Sequence, residues 1–444
     1  METKPLPDHK GKNAFTHPYL AKTQLDYGPS EGQLALMNVP AVHELGYSGR
    51  GITVLMLDTG YYKDHESLQT ERILAEYDFL FNDEETQNED YRDSTLLEQR
   101  YSQHNHGTHT MSALGGYQPG KLIGPAYECS FLLAKTESVP GEFPGEEDNY
   151  VAGLEWGEAQ GADIVSSSLG YLDWYTYDSL DGQTAVTTQA VRWATRLGML
   201  VVTSAGNERT NSAWGGYIIA PADADSIIAV GAVDAYGHLA GFSSHGPTFD
   251  DRIKPEVVAQ GMSVMSASSA GPSAYATGSG TSMSAPLVAG STALLLQAHP
   301  SWGPMDVRQA ILSTASQASQ PNNDFGWGIP DILAALQYDP NHASVEPQML
   351  IEEAYPNPFI TSGRHTNFVL RWTTATVATP KIDVYNLLGE HILNLYSPAD
   401  APVGRGVISW QGRDARGRLV PSGVYFIRLV VNDQSIARRV IVTR

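Results

Sequence analysis

The chain has 444 residues with 28 Lys plus Arg against 49 Asp plus Glu, a net charge of −21, and 42% hydrophobic residues. That balance excludes nucleic acid and anionic membrane surfaces as partners, and no apolar run reaches the 18 or more residues of a spanning helix. The length suits one large α/β domain plus a small second one. Charge divides the same way: residues 346–444 hold 11 basic and 8 acidic side chains, leaving 17 and 41 for the first 345.

In chain order, residues 1–30 read as an extended arm rich in Pro, Lys and His, with no apolar leader core. From 31 to 338 short apolar runs alternate with helical segments. "ITVLML" (Ile52–Leu57), "DIVSSSLG" (Asp163–Gly170), "MLVVTSAGN" (Met199–Asn207) and "SIIAVGAV" (Ser226–Val233) have the continuous apolarity of parallel strands covered on both faces. Helices are predicted over Asn149–Ala162, Thr188–Gly198 and Ser284–His299, the last apolar all round and therefore buried. The pattern predicts a doubly wound, mostly parallel sheet. Two acidic runs, Asn82–Asp93 and Pro140–Tyr150, read as solvated loops; hard cations take clustered carboxylates, but no spacing here assigns a calcium ligand set. Cys129, the single cysteine, precedes an apolar run and reads as a buried strand-edge thiol. After a linker at 339–348, residues 349–444 form short alternating segments broken by Gly and Pro, the pattern of a small all-β Ig-like sandwich.

Three histidines, His104, His106 and His109, crowd into "SQHNHGTHT". As metal ligands they lack the Glu base of a His-Glu-x-x-His helix, so a metal site is disfavoured. As a general base, one of them needs a nucleophile and an orienting carboxylate. Asp58 ends a buried strand at the sheet edge where α/β folds place their sites, although Asp-Thr-Gly is also good helix-capping chemistry. Ser282, in "GSGTSMSAPLVAG", sits ahead of the buried helix, whose N-terminal N–H groups favour negative charge; Ser284 is a rival that also reads as an ordinary N-cap. Asn207, in "TSAGN", ends another strand with an amide able to donate to an oxyanion.

Together "VLMLDTG", "HGTHT", "SAGN" and "GTSMSAP", in that order, resemble the subtilisin-like serine proteases from about Tyr27 to Leu336. The resemblance implies that Asp58, His106 and Ser282 are the catalytic triad and Asn207 the oxyanion donor, with no cofactor needed for the chemistry. His109 then lies one helical turn behind the base and His104 on the rim. "SSLG" resembles the family's substrate-binding edge, so Ser168, Leu169 and Gly170 would pair with a peptide main chain and Ser204, Ala205 and Gly206 would wall the pocket opposite. Ile219, Ala220 and Pro221 fall at the pocket base, where a bulky Ile219 makes it shallow and apolar. Ser67, in "HESL", stands where many relatives have a calcium-binding Asp. The last 95 or so residues, through "AYPNPF", "IDVYNLLGE" and "ARRVIVTR", resemble the type A sorting domain of type IX secretion substrates. That implies the type IX machinery as a partner, and a secreted or outer-membrane-surface location in a Gram-negative bacterium for a sequence that begins downstream of its leader. The expected function is a serine endopeptidase acting on protein or peptide substrates; the alternative is a catalytically silent protein of the same fold used for binding or adhesion.

Overall fold

The structure is a computed structural model that describes residues 25–88, 102–139, 141–339, 350–355, 359–361, 368–374, 381–396, 404–431 and 434–443. The N-terminal end of the arm (1–24), part of the first acidic run (89–93), Pro140 and most of the linker lie outside the described residues. The chain divides into two compact units, 1–340 and 341–444.

The strands of the first unit are β1 (Thr53–Asp58), β2 (Ile73–Asp78), β3 (Tyr117–Gln118), β4 (Leu122–Ile123), β5 (Ser130–Lys135), β6 (Ile164–Ser167), β7 (Leu200–Ser204), β8 (Ile228–Val233), β9 (Val257–Gln260), β10 (Val264–Ala267) and β11 (Tyr275–Gly278). Seven form one sheet in the order β2-β5-β1-β6-β7-β8-β9, and every pairing in it is parallel. The helices are α1 (Glu31–Ala35), α2 (Val39–Glu44), α3 (Asn105–Gly115), α4 (Gly145–Ala159), α5 (Val186–Leu197), α6 (Thr281–Ala298), α7 (Pro304–Thr314) and α8 (Ile332–Leu336).

The apolar runs are continuous because both sheet faces are covered. Alternate residues of one strand point to opposite faces. Val54 and Met56 of β1 therefore join a core with Met283, Leu287 and Val288 of α6, while Leu55 and Leu57 join a second core with Tyr150, Leu154 and Val191 of α4 and α5. Each fully buried side chain of this kind contributes roughly 1.5–3 kcal/mol. The register aligns Leu57 with Ser167 and Ser167 with Thr203, and Asp58 with Lys135. The C-terminal ends of β1, β5, β6 and β7 thus lie side by side, and each strand delivers its terminal residues to one edge.

That edge is braced by a buried ion pair. Lys135 Nζ lies 2.6 Å from Asp78 Oδ2, with the two side chains 1% and 0% exposed. The other oxygen of Asp78 accepts the backbone N–H of Leu80 (2.7 Å) and Phe81 (3.0 Å), and the ammonium stands 4.6 Å from the centroid of the Phe81 ring. A carboxylate so enclosed is tolerable only while its partners remain.

The second unit contains β12 (Leu350–Tyr355), β13 (Phe359–Ile360), β14 (Phe368–Thr374), β15 (Lys381–Asn386), β16 (His391–Tyr396), β17 (Gly404–Trp410), β18 (Gly423–Val431) and β19 (Gln434–Thr443). They form a three-stranded sheet, β12-β14-β17, and a five-stranded sheet, β13-β19-β18-β15-β16. Phe368 and Trp410 from the first sheet share one core with Ile382, Val384, Tyr425, Ile427 and Leu429 from the second. The alternation of Tyr425, Ile427 and Leu429 along β18 is the period-2 pattern of a strand with one buried face.

Replacing Lys135 by Met is expected to destabilise the protein by about 3–5 kcal/mol, because Asp78 is left charged and unpaired. Chemical denaturation measures this, and adding Asp78→Leu is expected to recover most of the loss. A single variant within about 1 kcal/mol of wild type would place the pair among interactions of surface strength.

Candidate active site

Asp58 is the last residue of β1 and has no exposure. Its Oδ1 accepts the backbone N–H of Thr59 at 2.8 Å and lies 2.7 Å from His106 Nδ1. Its Oδ2 accepts the hydroxyl of Thr110 at 2.9 Å. Both oxygens are thus bonded from inside the protein, as a buried carboxylate requires. Thr110 is four residues after His106 on α3, so one helical turn presents both side chains to the same carboxylate. The helix can come this close because residue 107 is Gly. A Cβ there would lie 2.2 Å from the carbonyl oxygen of Gly60 and 2.9 Å from the Tyr61 ring.

Burial pulls the His106 pKa down, but the charge of Asp58 and the hydrogen bond to it outweigh burial and leave it raised above the usual imidazole value. His109 goes the other way: burial first, then the charge of His106, lowers it. Its Nδ1 is 2.8 Å from Ser266 Oγ on β10, so it is bonded behind the site as expected. His104 occupies the N-cap of α3, its ring 5.2 Å from that of Tyr62 and its Nδ1 accepting the N–H of Asn88 at 3.2 Å. The three imidazoles differ in environment because a helix turns each one toward a different neighbour.

Ser282 is the second residue of α6, whose N-cap is Gly280 rather than Ser284. The helix begins three residues earlier than the apolar pattern indicates, because "TSM" continues the turn without contributing to the apolar run. Ser284 is buried, and its Oγ donates to the carbonyl of Thr281 at 2.9 Å, which gives it a structural role. Gly280 has φ +152° and ψ 161°, and a Cβ on it would lie 2.9 Å from Ser282 Oγ and 3.7 Å from Asn207 Nδ2. The serine hydroxyl and the asparagine amide therefore flank one small space that only glycine leaves open. Asn207 Oδ1 accepts the N–H of Thr281 at 2.9 Å, with its hydroxyl at 3.2 Å, which turns the amide nitrogen toward that space. Among the described residues, Ser282 Oγ makes no hydrogen bond to His106. Catalytic contacts are often loose without substrate.

The two expected walls are joined to the serine turn. Ser168 Oγ donates to the Ser282 carbonyl at 2.8 Å, and Gly206 N–H donates to Thr281 Oγ1 at 3.1 Å. Ser204 Oγ donates to the Leu169 carbonyl at 3.4 Å, linking the walls to each other. Ala205 accepts the N–H of Ile219 at 3.3 Å, and Ala220 pairs with Tyr171, the residue after Gly170, through bonds of 3.2 and 2.8 Å. Sequence reasoning missed Thr110 and Thr281. The i, i+4 spacing from His106 is a usable signal for the first; for the second no local signal exists.

The acidic run 140–150 is not the solvated loop expected. Its second half is the first turn of α4, where Glu146 and Glu147 are buried. Glu146 accepts the N–H of Ser138 (2.8 Å) and Phe143 (3.0 Å), and Glu147 accepts Trp174 Nε1 (2.7 Å) and the Tyr175 hydroxyl. Acidic side chains at a helix N-terminus complement its dipole, and this offsets their burial. Glu137, Glu142 and Glu146 bring carboxylate oxygens within 4.8 Å of one another. Burial lifts Glu137 well above the usual carboxylate range, and desolvation followed by the charge of Glu146 lifts Glu142 to about 7. At "HESL", Ser67 is buried with its Oγ 2.9 Å from His65 Nδ1, and Glu66 binds Lys121 (2.6 Å) and the Tyr275 hydroxyl (2.9 Å). Cys129 is buried immediately before β5, and burial pushes its thiol up to about 12, where it is no nucleophile.

Comparison with known proteins places this geometry in context. The subtilase family profile matches residues 49–328. The chain is 30% identical over 307 residues to Subtilisin E of Bacillus subtilis, covering 68% of this chain and 70% of the relative. To Subtilisin DY of Bacillus licheniformis it is 32% identical over 309 residues, covering 68% and 97%. Among solved structures it resembles a protease from Pseudoalteromonas arctica with a TM-score of 0.56 at 23% identity, over 71% of this chain and 99% of that one. This last likeness concerns the fold alone.

Followed by NMR, His106 is expected to titrate above the ordinary imidazole value of about 6.5. In Asp58→Asn the midpoint is expected to fall below it, since burial then acts unopposed. By linkage, the raised folded pKa contributes stability that is fully present below the unfolded value and is lost as pH rises through the folded one. An unchanged midpoint in Asp58→Asn would refute the coupling.

Proposed function

The chain belongs to the subtilase family of serine peptidases, and on that premise we propose that it is an exported endopeptidase with Asp58, His106 and Ser282 as its triad. The observation that carries the reading is the bond from His106 to the buried Asp58 carboxylate, together with the Ser282–Asn207 pair at the start of α6. Ser282 Oγ attacks the scissile carbonyl carbon, and His106 Nε2 takes its proton. Asp58 holds Nδ1, fixes the tautomer and stabilises the imidazolium. Asn207 Nδ2 and the Ser282 N–H receive the negative charge on the carbonyl oxygen. His106 returns the proton to the leaving amine, and water cleaves the acyl-enzyme by the same steps. Ser168, Leu169 and Gly170 on one side and Ser204, Ala205 and Gly206 on the other accept the peptide, the first segment by strand addition. Calcium is not needed for any of these steps.

For the second unit, the motifs "AYPNPF" and "IDVYNLLGE" and the closing "ARRVIVTR" support an Ig-like sorting domain read by the type IX secretion machinery. The protease would then act outside the cell or on the outer-membrane surface of a Gram-negative bacterium. No helix among the described residues is long and apolar enough to cross a membrane.

A serine-directed fluorophosphonate is expected to label the wild type and to fail on Ser282→Ala; equal labelling would exclude Ser282 as nucleophile. Asn207→Ala is expected to lower kcat by roughly 10²–10³-fold, the loss measured for such a donor in a subtilisin. His106→Ala is expected to cost far more casein hydrolysis than His104→Ala, and the opposite ranking would name the wrong ring. Because the neutral imidazole is the base, kcat/KM should rise with pH through a midpoint above about 6.5. A reporter carrying Val345–Arg444 behind a signal peptide should reach the surface of a type IX-competent bacterium. Retention in the periplasm of that strain would reject the sorting role.

A further inference from the structure

The slot between the two substrate walls is already filled. Ile219 is the residue that fills it, and its backbone is held from both sides. Its N–H donates to Ala205 on one wall at 3.3 Å, and the next residue, Ala220, exchanges two hydrogen bonds with Tyr171 beside the other wall, at 3.2 and 2.8 Å. The strap carrying Ile219 is therefore pinned across the base of the cleft.

The side chain points into the gap. A Cβ on Gly170 would lie 2.5 Å from Ile219 Cδ1 and 2.7 Å from Cγ1. A Cβ on Gly206 would lie 3.1 Å from Cγ1 and 3.3 Å from Cδ1. One isoleucine thus meets the bare faces of both glycines, and its last carbons span the slot. The same face of Gly206 also meets buried Ser244, whose Oγ would lie 2.9 Å from that Cβ and accepts the N–H of Glu208 at 2.9 Å. Ile219 keeps only 8% of its surface. Between these two glycines the space is taken by the Ile219 side chain, and native packing leaves little room for a second occupant.

From this geometry we infer that Ile219 closes the primary specificity pocket, so that the protein cleaves after small residues (Gly, Ala or Ser) and rejects Phe, Leu and Arg at that position. The inference rests on the endopeptidase reading and names the substrate class for it. An apolar pocket discriminates by roughly 10–200-fold for a single methylene. A benzyl group exceeds a methyl by far more than that, and the strap that would have to retreat is pinned on both sides.

The test compares tetrapeptide p-nitroanilides ending in Ala-Ala-Pro-Ala and Ala-Ala-Pro-Phe. Wild type is expected to favour the alanyl substrate by at least about tenfold in kcat/KM. Ile219→Gly is expected to shift that ratio toward Phe by at least a further factor of about ten, and Ile219→Val to shift it the same way by less. The Val variant keeps most of the packing and answers the question if the Gly variant does not fold. Independently, calorimetry on Ser282→Ala with the corresponding free peptides reads the pocket without turnover, and Ala-Ala-Pro-Ala should bind the more tightly. Wild type that cleaves the phenylalanyl substrate as fast, or a Ser282→Ala protein that binds it as tightly or binds neither peptide, would overturn the pocket assignment. Selective binding without any turnover would overturn the endopeptidase reading and leave the pocket assignment standing.

Discussion

Asp58 sits at the end of a central strand with no contact with solvent, and the site is organised around satisfying it. An isolated carboxylate there would lose its hydrogen bonds to water without replacement, at a cost in stability. The chain prevents this by bringing α3 down onto the strand end, close enough for Thr110 and His106 to reach the two oxygens from successive turns. That approach in turn requires Gly107, since even a methyl group would strike the Gly60 carbonyl. The imidazole then inherits its raised pKa from the pair, through the buried charge of Asp58 and the hydrogen bond to it.

The opposite side of the cleft is organised by a helix N-terminus. Gly280 caps α6 with a positive φ, which sets Ser282 in the first turn and leaves space between its hydroxyl and the Asn207 amide. The amide is oriented because Thr281, the neighbour of Ser282, donates to its oxygen. Ser282 and Asn207 are thus positioned through one another by Thr281, and the same turn is tied to Ser168 and Gly206. Backbone bonds from Ile219 to Ala205 and between Ala220 and Tyr171 hold the strap that bears Ile219 to the same elements.

The acidity of the first unit also takes a structural form. Glu146 and Glu147 are buried because backbone and aromatic donors surround them at the start of α4. Glu137, one residue beyond Thr136 in the segment that leaves β5, accepts the Tyr171 hydroxyl. Composition reports such residues only as charge and suggests a solvated loop.

Strands, helices and their order were legible because each rests on local chemistry. A run such as Ile52–Leu57 is apolar on every residue only when both faces are covered, so apolarity alone announces the buried parallel strand. Asp58, His106, Asn207 and Ser282 were legible for a similar reason: each is embedded in a short motif whose neighbours do the positioning. That Ile219 falls at the base of the expected pocket was legible too, but Thr110 on Asp58, Thr281 on Asn207, the true start of α6 and the contacts of Ile219 with Gly170 and Gly206 were decided only by the tertiary structure. Three of these depend on distances between residues far apart in the chain, and the fourth on where a helix finds its first turn. The sequence by itself determined the sheet, the order of the motifs and the candidate chemistry, since those follow from periodicity and residue type. The packing of Ile219 against Gly170 and Gly206 and the satisfaction of the buried carboxylate are contacts between separate segments, and a contact exists only once the segments have packed.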